Sequence, residues 1–98
     1  MAFAFVHDVP LTDDLYAQVR AELGSEPPPG LIAHLVIRTE SGLRYVDAWE
    51  NEADWDRFHE EAVHPALHKV LGFDPPRNMG PTPVELVDAW IPGREFTA

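Results

Sequence analysis

The chain contains no cysteine, which excludes disulfides, thiolate zinc sites, iron–sulfur clusters and a cysteine nucleophile. Basic residues are also scarce. Seven Lys and Arg face seventeen Asp and Glu, for a formal charge of −10 at pH 7. Nucleic-acid binding rests on clustered cations that neutralise phosphates, whereas Arg20, Arg38, Arg44, Arg57, Lys69, Arg77 and Arg94 are scattered along the chain; neither nucleic acid nor an anionic membrane is an expected partner. No apolar run approaches the ~20 residues of a membrane-spanning helix. The first residues lack the basic region of a signal peptide, so a cytoplasmic protein is expected. There is no glycine-rich phosphate loop and no serine-centred elbow, which leaves nucleotide and serine hydrolysis without support.

What is present suits one small globular domain over residues 1–98, with 45% hydrophobic and 24% charged residues. Ala2 to Val9 alternates as a strand and Pro10 ends it. Thr12 then caps a helix with Asp13 and Asp14 in its first turn, an apolar stripe at Leu15, Val19 and Leu23, and Gly24 as its stop. After the stiff SEPPPG connector, Leu31–Thr39 and Leu43–Trp49 form a hairpin across Glu40-Ser41-Gly42. Asn51 caps a second helix bearing Trp55, Phe58 and Ala62, and Pro65 imposes a break or kink near His64. Residues 72–83 read as a Pro/Gly-rich loop of the kind that covers a site or an interface. Val84–Ile91 is expected as the last strand. The order β-α-β-β-α-β predicts an α+β, ferredoxin-like antiparallel sheet with both helices on one face.

A sheet covered on one side alternates apolar and polar residues, but in Leu31–Ile37 only His34 is polar. The tetrapeptide Val-Asp-Ala-Trp occurs at Val46–Trp49 and again at Val87–Trp90, and the period of two gives Asp47 and Trp49 one face, Asp88 and Trp90 another matching one. Two apolar faces need two covers. The helices supply one, and a second copy of the chain is expected to supply the other, as a homodimer packed sheet to sheet.

Trp49 followed by Glu50-Asn51-Glu52-Ala53-Asp54-Trp55-Asp56-Arg57-Phe58-His59 resembles the strand–helix junction of the antibiotic-biosynthesis-monooxygenase family. That resemblance covers nearly the whole chain and implies a dimeric α+β barrel. It further implies a small-molecule enzyme or binder, similar to cofactor-free monooxygenases, that holds an aromatic or polycyclic ligand between sheet and helices. In that reading oxygenation needs no cofactor, because the substrate itself supplies the electron; the protein provides a dry cavity, a base and donors. Within the resemblance, the haem-degrading branch places its iron ligand at His68, while Phe58 stands where that branch has Trp and His7 at or near its first-strand Asn. A haem-binding role through His68 is therefore an alternative, as is a non-catalytic homodimeric module with a filled core.

The chemically capable residues follow from these placements. His34, alone among apolar neighbours, is either a hydrogen-bonded core histidine or a base tuned by burial. His59 and His68 are the other candidate catalytic groups, and His7, Tyr45, Trp49, Trp55 and Phe58 are candidate ligand contacts. Glu60, His64 and His68 would line one face of an unbroken helix, but Pro65 spoils that spacing, so no metal is expected.

Overall fold

The computed structural model describes residues 2–72, 81–92 and 94–97. Strand β1 (Phe3–Val9) leads into helix α1 (Asp13–Leu23), then the hairpin of β2 (Leu31–Thr39) and β3 (Gly42–Trp49). Helix α2 (Glu52–Phe58) runs through a π-helical turn (His59–Val63) into α3 (His64–Leu71), followed by the short strands β4 (Thr82–Val84), β5 (Asp88–Ile91) and β6 (Arg94–Thr97). The main sheet is antiparallel with order β2-β3-β1-β4. This α+β arrangement is compatible with the ferredoxin-like class. Among the described residues no helix is long and apolar enough to cross a membrane.

The local signals act where they were read. Thr12 Oγ1 accepts from the Leu15 N–H at 3.2 Å and Asn51 Oδ1 from the Asp54 N–H at 2.9 Å, so α1 and α2 each have a first-turn donor capped. Gly24 has φ of 86°, a conformation that a side chain rarely adopts. At Gly42 a Cβ would lie 2.4 Å from the Val9 carbonyl oxygen, which is why the hairpin meets the end of β1 through a glycine. Pro65 resolves its conflict with the helix through the π turn. It has no N–H, and its ring would collide with a carbonyl one turn back, so the preceding turn widens and the His64 N–H reaches His59 O.

Register assigns the sheet's two faces. Phe3 pairs with Trp49, Phe5 with Asp47 and His7 with Tyr45, while His34 pairs with Asp47 and Val36 with Tyr45. This set faces the helices: the Trp55 ring lies 4.6 Å from Phe5 and 5.6 Å from Trp49. Phe5 and Trp49 are each 1% exposed and anchor the core on that side. The opposite face carries Ala4, Ala33 and Ala48, with Ile32 inserted at a bulge in β2. Leu86, Ala89 and Ile91 pack against that cluster. Farther along the same face Leu35 and Ile37 remain 56% and 48% exposed.

The last strand departs from expectation. Instead of one strand over Val84–Ile91, β4 pairs with β1 and ends at Val84, residues 85–87 leave the sheet, and β5 pairs with β6 as a separate hairpin. The two Val-Asp-Ala-Trp segments therefore do not play matching parts. Trp49 is 1% exposed in a central strand, and Trp90 is 96% exposed on the hairpin. Identical tetrapeptides diverge because burial depends on which strands flank them: of the two strands that carry the tetrapeptide, β3 has a neighbour on each side and β5 pairs with β6 alone. Of the loop expected over residues 72–83, positions 73–80 lie outside the described residues.

Candidate functional site

The hairpin register sets His34 directly across from Asp47 on the helix-facing side. Asp47 is 4% exposed, and both carboxylate oxygens are engaged. Oδ1 lies 2.6 Å from His34 Nδ1, and Oδ2 accepts from Trp49 Nε1–H at 3.2 Å. A carboxylate only accepts, so the His34 proton sits on Nδ1 and leaves the Nε2 lone pair facing away. That nitrogen lies 2.9 Å from the Tyr16 hydroxyl, contributed by α1. In the neutral imidazole Tyr16 donates to Nε2. The three residues thus form one line, Tyr16–His34–Asp47, running from a partly open phenol to a buried carboxylate.

Tyr45 completes the wall, its ring 5.4 Å from His34, 5.7 Å from Tyr16 and 6.1 Å from His7. Burial raises the Tyr45 phenol well above its ordinary range, with Tyr16 and Asp47 adding to the rise. Burial also raises Tyr16, opposed by the nearby Arg20 charge. Both rings are accordingly neutral phenols at pH 7, able to donate a hydrogen bond. Proton transfer along the line is chemically simple. An acid placed at the Tyr16 hydroxyl would send a proton through it to Nε2, and Asp47 would hold the imidazolium so formed.

The other predicted residues separate into two groups. Trp49 packs on Trp55 and Phe58, with ring centroids 5.6 Å from each; Trp49 is buried in the core, and Trp55 and Phe58 are half-buried on α2 above it. His59 stacks near Trp55 at 5.3 Å and near His64 at 6.3 Å, the latter almost parallel at 12°, because the five-residue π turn brings positions 59 and 64 together. His68 is exposed on α3, and its backbone carbonyl accepts the Gly72 N–H at 2.8 Å. Among the described residues no group of three or more His, Asp or Glu side chains is placed to hold a metal ion.

Partial covering by its neighbours and the approach of His64 hold the His59 pKa below its ordinary 6.5, with His7 contributing in the same direction and Asp56 and Glu60 opposing. A histidine with a lowered folded-state pKa binds protons less readily folded than unfolded. Stability is therefore unaffected above pH 6.5 and falls as pH drops below it. His59→Gln is expected to flatten the acid limb of a stability–pH profile; an unchanged profile would locate that limb elsewhere.

Sequence reasoning had His34 and Tyr45 but not Tyr16 or Asp47 as functional groups. Tyr16 lies at a helix start where Leu11 can staple onto its ring, so the sequence offers it an apolar role, and its hydroxyl acquires the His34 partner only when α1 crosses the hairpin. Asp47 did leave a signal, being an acid that shares a strand face with a core tryptophan. Two open depressions flank α1: one of about 620 Å³ around Pro10–Asp14 and Arg38–Gly42, the other of about 670 Å³ lined by Tyr16, Ala17, Arg20, Ala21, Gly24 and Ser25. Compared with known proteins, the chain matches no family model, no curated protein and no solved structure.

Proposed function

We propose that this chain is a small-molecule enzyme or binder of the antibiotic-biosynthesis-monooxygenase type, working as a dimeric α+β barrel, with Tyr16–His34–Asp47 as its proton-accepting centre. The observation that carries the reading is the buried Asp47 carboxylate fixing His34 Nδ1–H at 2.6 Å while Nε2 is aimed at a phenol. That geometry suits removal of a proton from an acidic O–H or C–H of an aromatic ligand. The resulting anion is electron-rich enough to reduce O2, and conversion of a ring CH2 to C=O with O2 releases water without any cofactor. The dimer is supported by the apolar face left open at Leu35, Ile37 and Val84, by Val87 just before the hairpin and by Trp90 on it, the last two 76% and 96% exposed.

The test is aerobic oxidation of a dihydroxyanthrone, followed by quinone absorbance, for the wild-type chain and for His34→Gln and Tyr16→Phe. Wild type is expected to exceed the buffer rate, with a loss of about 10²–10⁴-fold in His34→Gln. Native mass spectrometry of the same sample is expected to give two chains, reduced to one by Leu35→Glu. A dimer with no bound molecule and no rate above buffer would leave the catalytically silent module, which the mutual packing of Phe5, Trp49, Trp55 and Phe58 favours.

A further inference from the structure

The depression beside α1 joins the outer end of the proton relay to a single cation. Its lining residues are Tyr16, Ala17, Arg20, Ala21, Gly24 and Ser25, and Arg20 alone among them carries charge. Tyr16 and Arg20 are four residues apart on α1 (Asp13–Leu23), so they share a helix face one turn from each other. Arg20 Nη1 donates to the Gly24 carbonyl at 2.5 Å, which ties the guanidinium to the end of the helix rather than leaving it to swing in solvent. A guanidinium has five N–H donors in a rigid fork matched to a carboxylate; one is used by that carbonyl bond and the fork also reaches the Tyr16 hydroxyl as a hydrogen-bond partner, so the cation and the phenol already adjoin and donors remain for a ligand.

We infer that the ligand served by the relay is an organic anion, an aromatic carboxylate or equivalent acid, and that Arg20 selects it by pairing with the anionic group while the adjacent portion faces the Tyr16 hydroxyl. This rests on the relay reading given above. A chain of net charge −10 repels anions at long range, so an anionic ligand needs a local cation where it docks. Ala17 and Ala21 leave room for a flat ring beside the helix, and the small Gly24 and Ser25 end the depression. Arg20 is here a specificity residue, and the proton transfer stays with Tyr16 and His34.

Benzoate and benzamide have the same size and shape and differ in charge, so they separate recognition of the anion from recognition of the ring. Each is titrated into the full chain, following the Arg20 Nε–H and His34 ring signals by NMR. Benzoate is expected to bind saturably and shift both signals, with benzamide at least tenfold weaker. Arg20→Gln is expected to weaken benzoate at least tenfold, and Arg20→Lys less, since it keeps the charge and loses the fork. Circular dichroism of the variants establishes that they remain folded, which an exposed helix position allows. Equal binding of the two probes, an unchanged benzoate affinity in Arg20→Gln, or no saturable shift at Arg20 would each overturn the inference. The relay can fail separately: benzoate held at Arg20 together with full oxidation activity in His34→Gln would keep the anion site and remove the relay.

Discussion

Replacing Asp47 with Asn is expected to reverse the histidine. The carboxylate accepts from two N–H groups, His34 Nδ1 at 2.6 Å and Trp49 Nε1 at 3.2 Å, whereas an amide has one acceptor oxygen and one donor nitrogen. The indole N–H cannot change its role, but the imidazole can. The amide oxygen therefore goes to Trp49 and its NH2 to His34, which must then carry its proton on Nε2 and present it to Tyr16. An Nε2 that donates cannot accept, so the line Tyr16–His34–Asp47 stops working as a base, at a cost of about 10²–10⁴ in any rate that depends on it. The tautomer is read directly from the ring 15N shifts of His34. Wild type is expected to show Nδ1–H and Asp47→Asn Nε2–H. Retention of Nδ1–H in the Asp47→Asn variant would show that Asp47 does not set the histidine's orientation. Asp47→Ala is a harsher change, since it strands the donors of both neighbours, and should cost about 1–3 kcal/mol for each donor left without an acceptor.

Trp49→Ala is expected to be the most destabilising single change in the core. Trp49 is 1% exposed, touches the Trp55 and Phe58 rings at 5.6 Å, and supports Asp47 through its indole N–H. Deleting a buried indole of this kind costs about 3–5 kcal/mol, a large share of the roughly 5–15 kcal/mol that holds a domain together. Trp49→Phe keeps most of the ring volume and loses the donor, so about 1–2 kcal/mol is expected from the missing hydrogen bond and imperfect packing. Urea denaturation at one fixed protein concentration separates the two, because association would otherwise shift the midpoint. Similar midpoints for the two variants would mean that the indole ring contributes little beyond its N–H.

Of these two changes, Asp47→Asn acts on the proposed relay and Trp49→Ala on the packing beneath it. The aromatic cluster of Phe5, Trp49, Trp55 and Phe58 holds β3 against α2, and β3 in turn places Asp47. The relay begins where that packing ends, at His34 with 28% of its side chain exposed and Tyr16 part-open on α1. Loss of the core should therefore abolish stability and, with it, the geometry on which the proposed relay depends. His34→Gln, whose amide can still donate to the buried Asp47 carboxylate, should leave the fold nearly intact.

Local chemistry along the chain determined most of the architecture. Thr12 and Asn51 start the helices, a glycine lets the β2–β3 turn close against β1, and Pro65 forces the irregular turn between α2 and α3; each is decided within a few residues by hydrogen bonding or sterics. His34 was legible as an anomaly for the same reason, being polar in an apolar strand. Tertiary structure decided what periodicity cannot carry. Tyr16 belongs to the site because α1 crosses the sheet over His34, eighteen positions later in the chain. Asp47 becomes a partner through register across the hairpin, and the two Val-Asp-Ala-Trp segments part company because one is flanked by strands on both sides and the other on one. Local propensities act over one or two turns, whereas the hydrogen-bonded line Tyr16–His34–Asp47 depends on distances of about 3 Å between separate elements, and those exist only once the chain has packed.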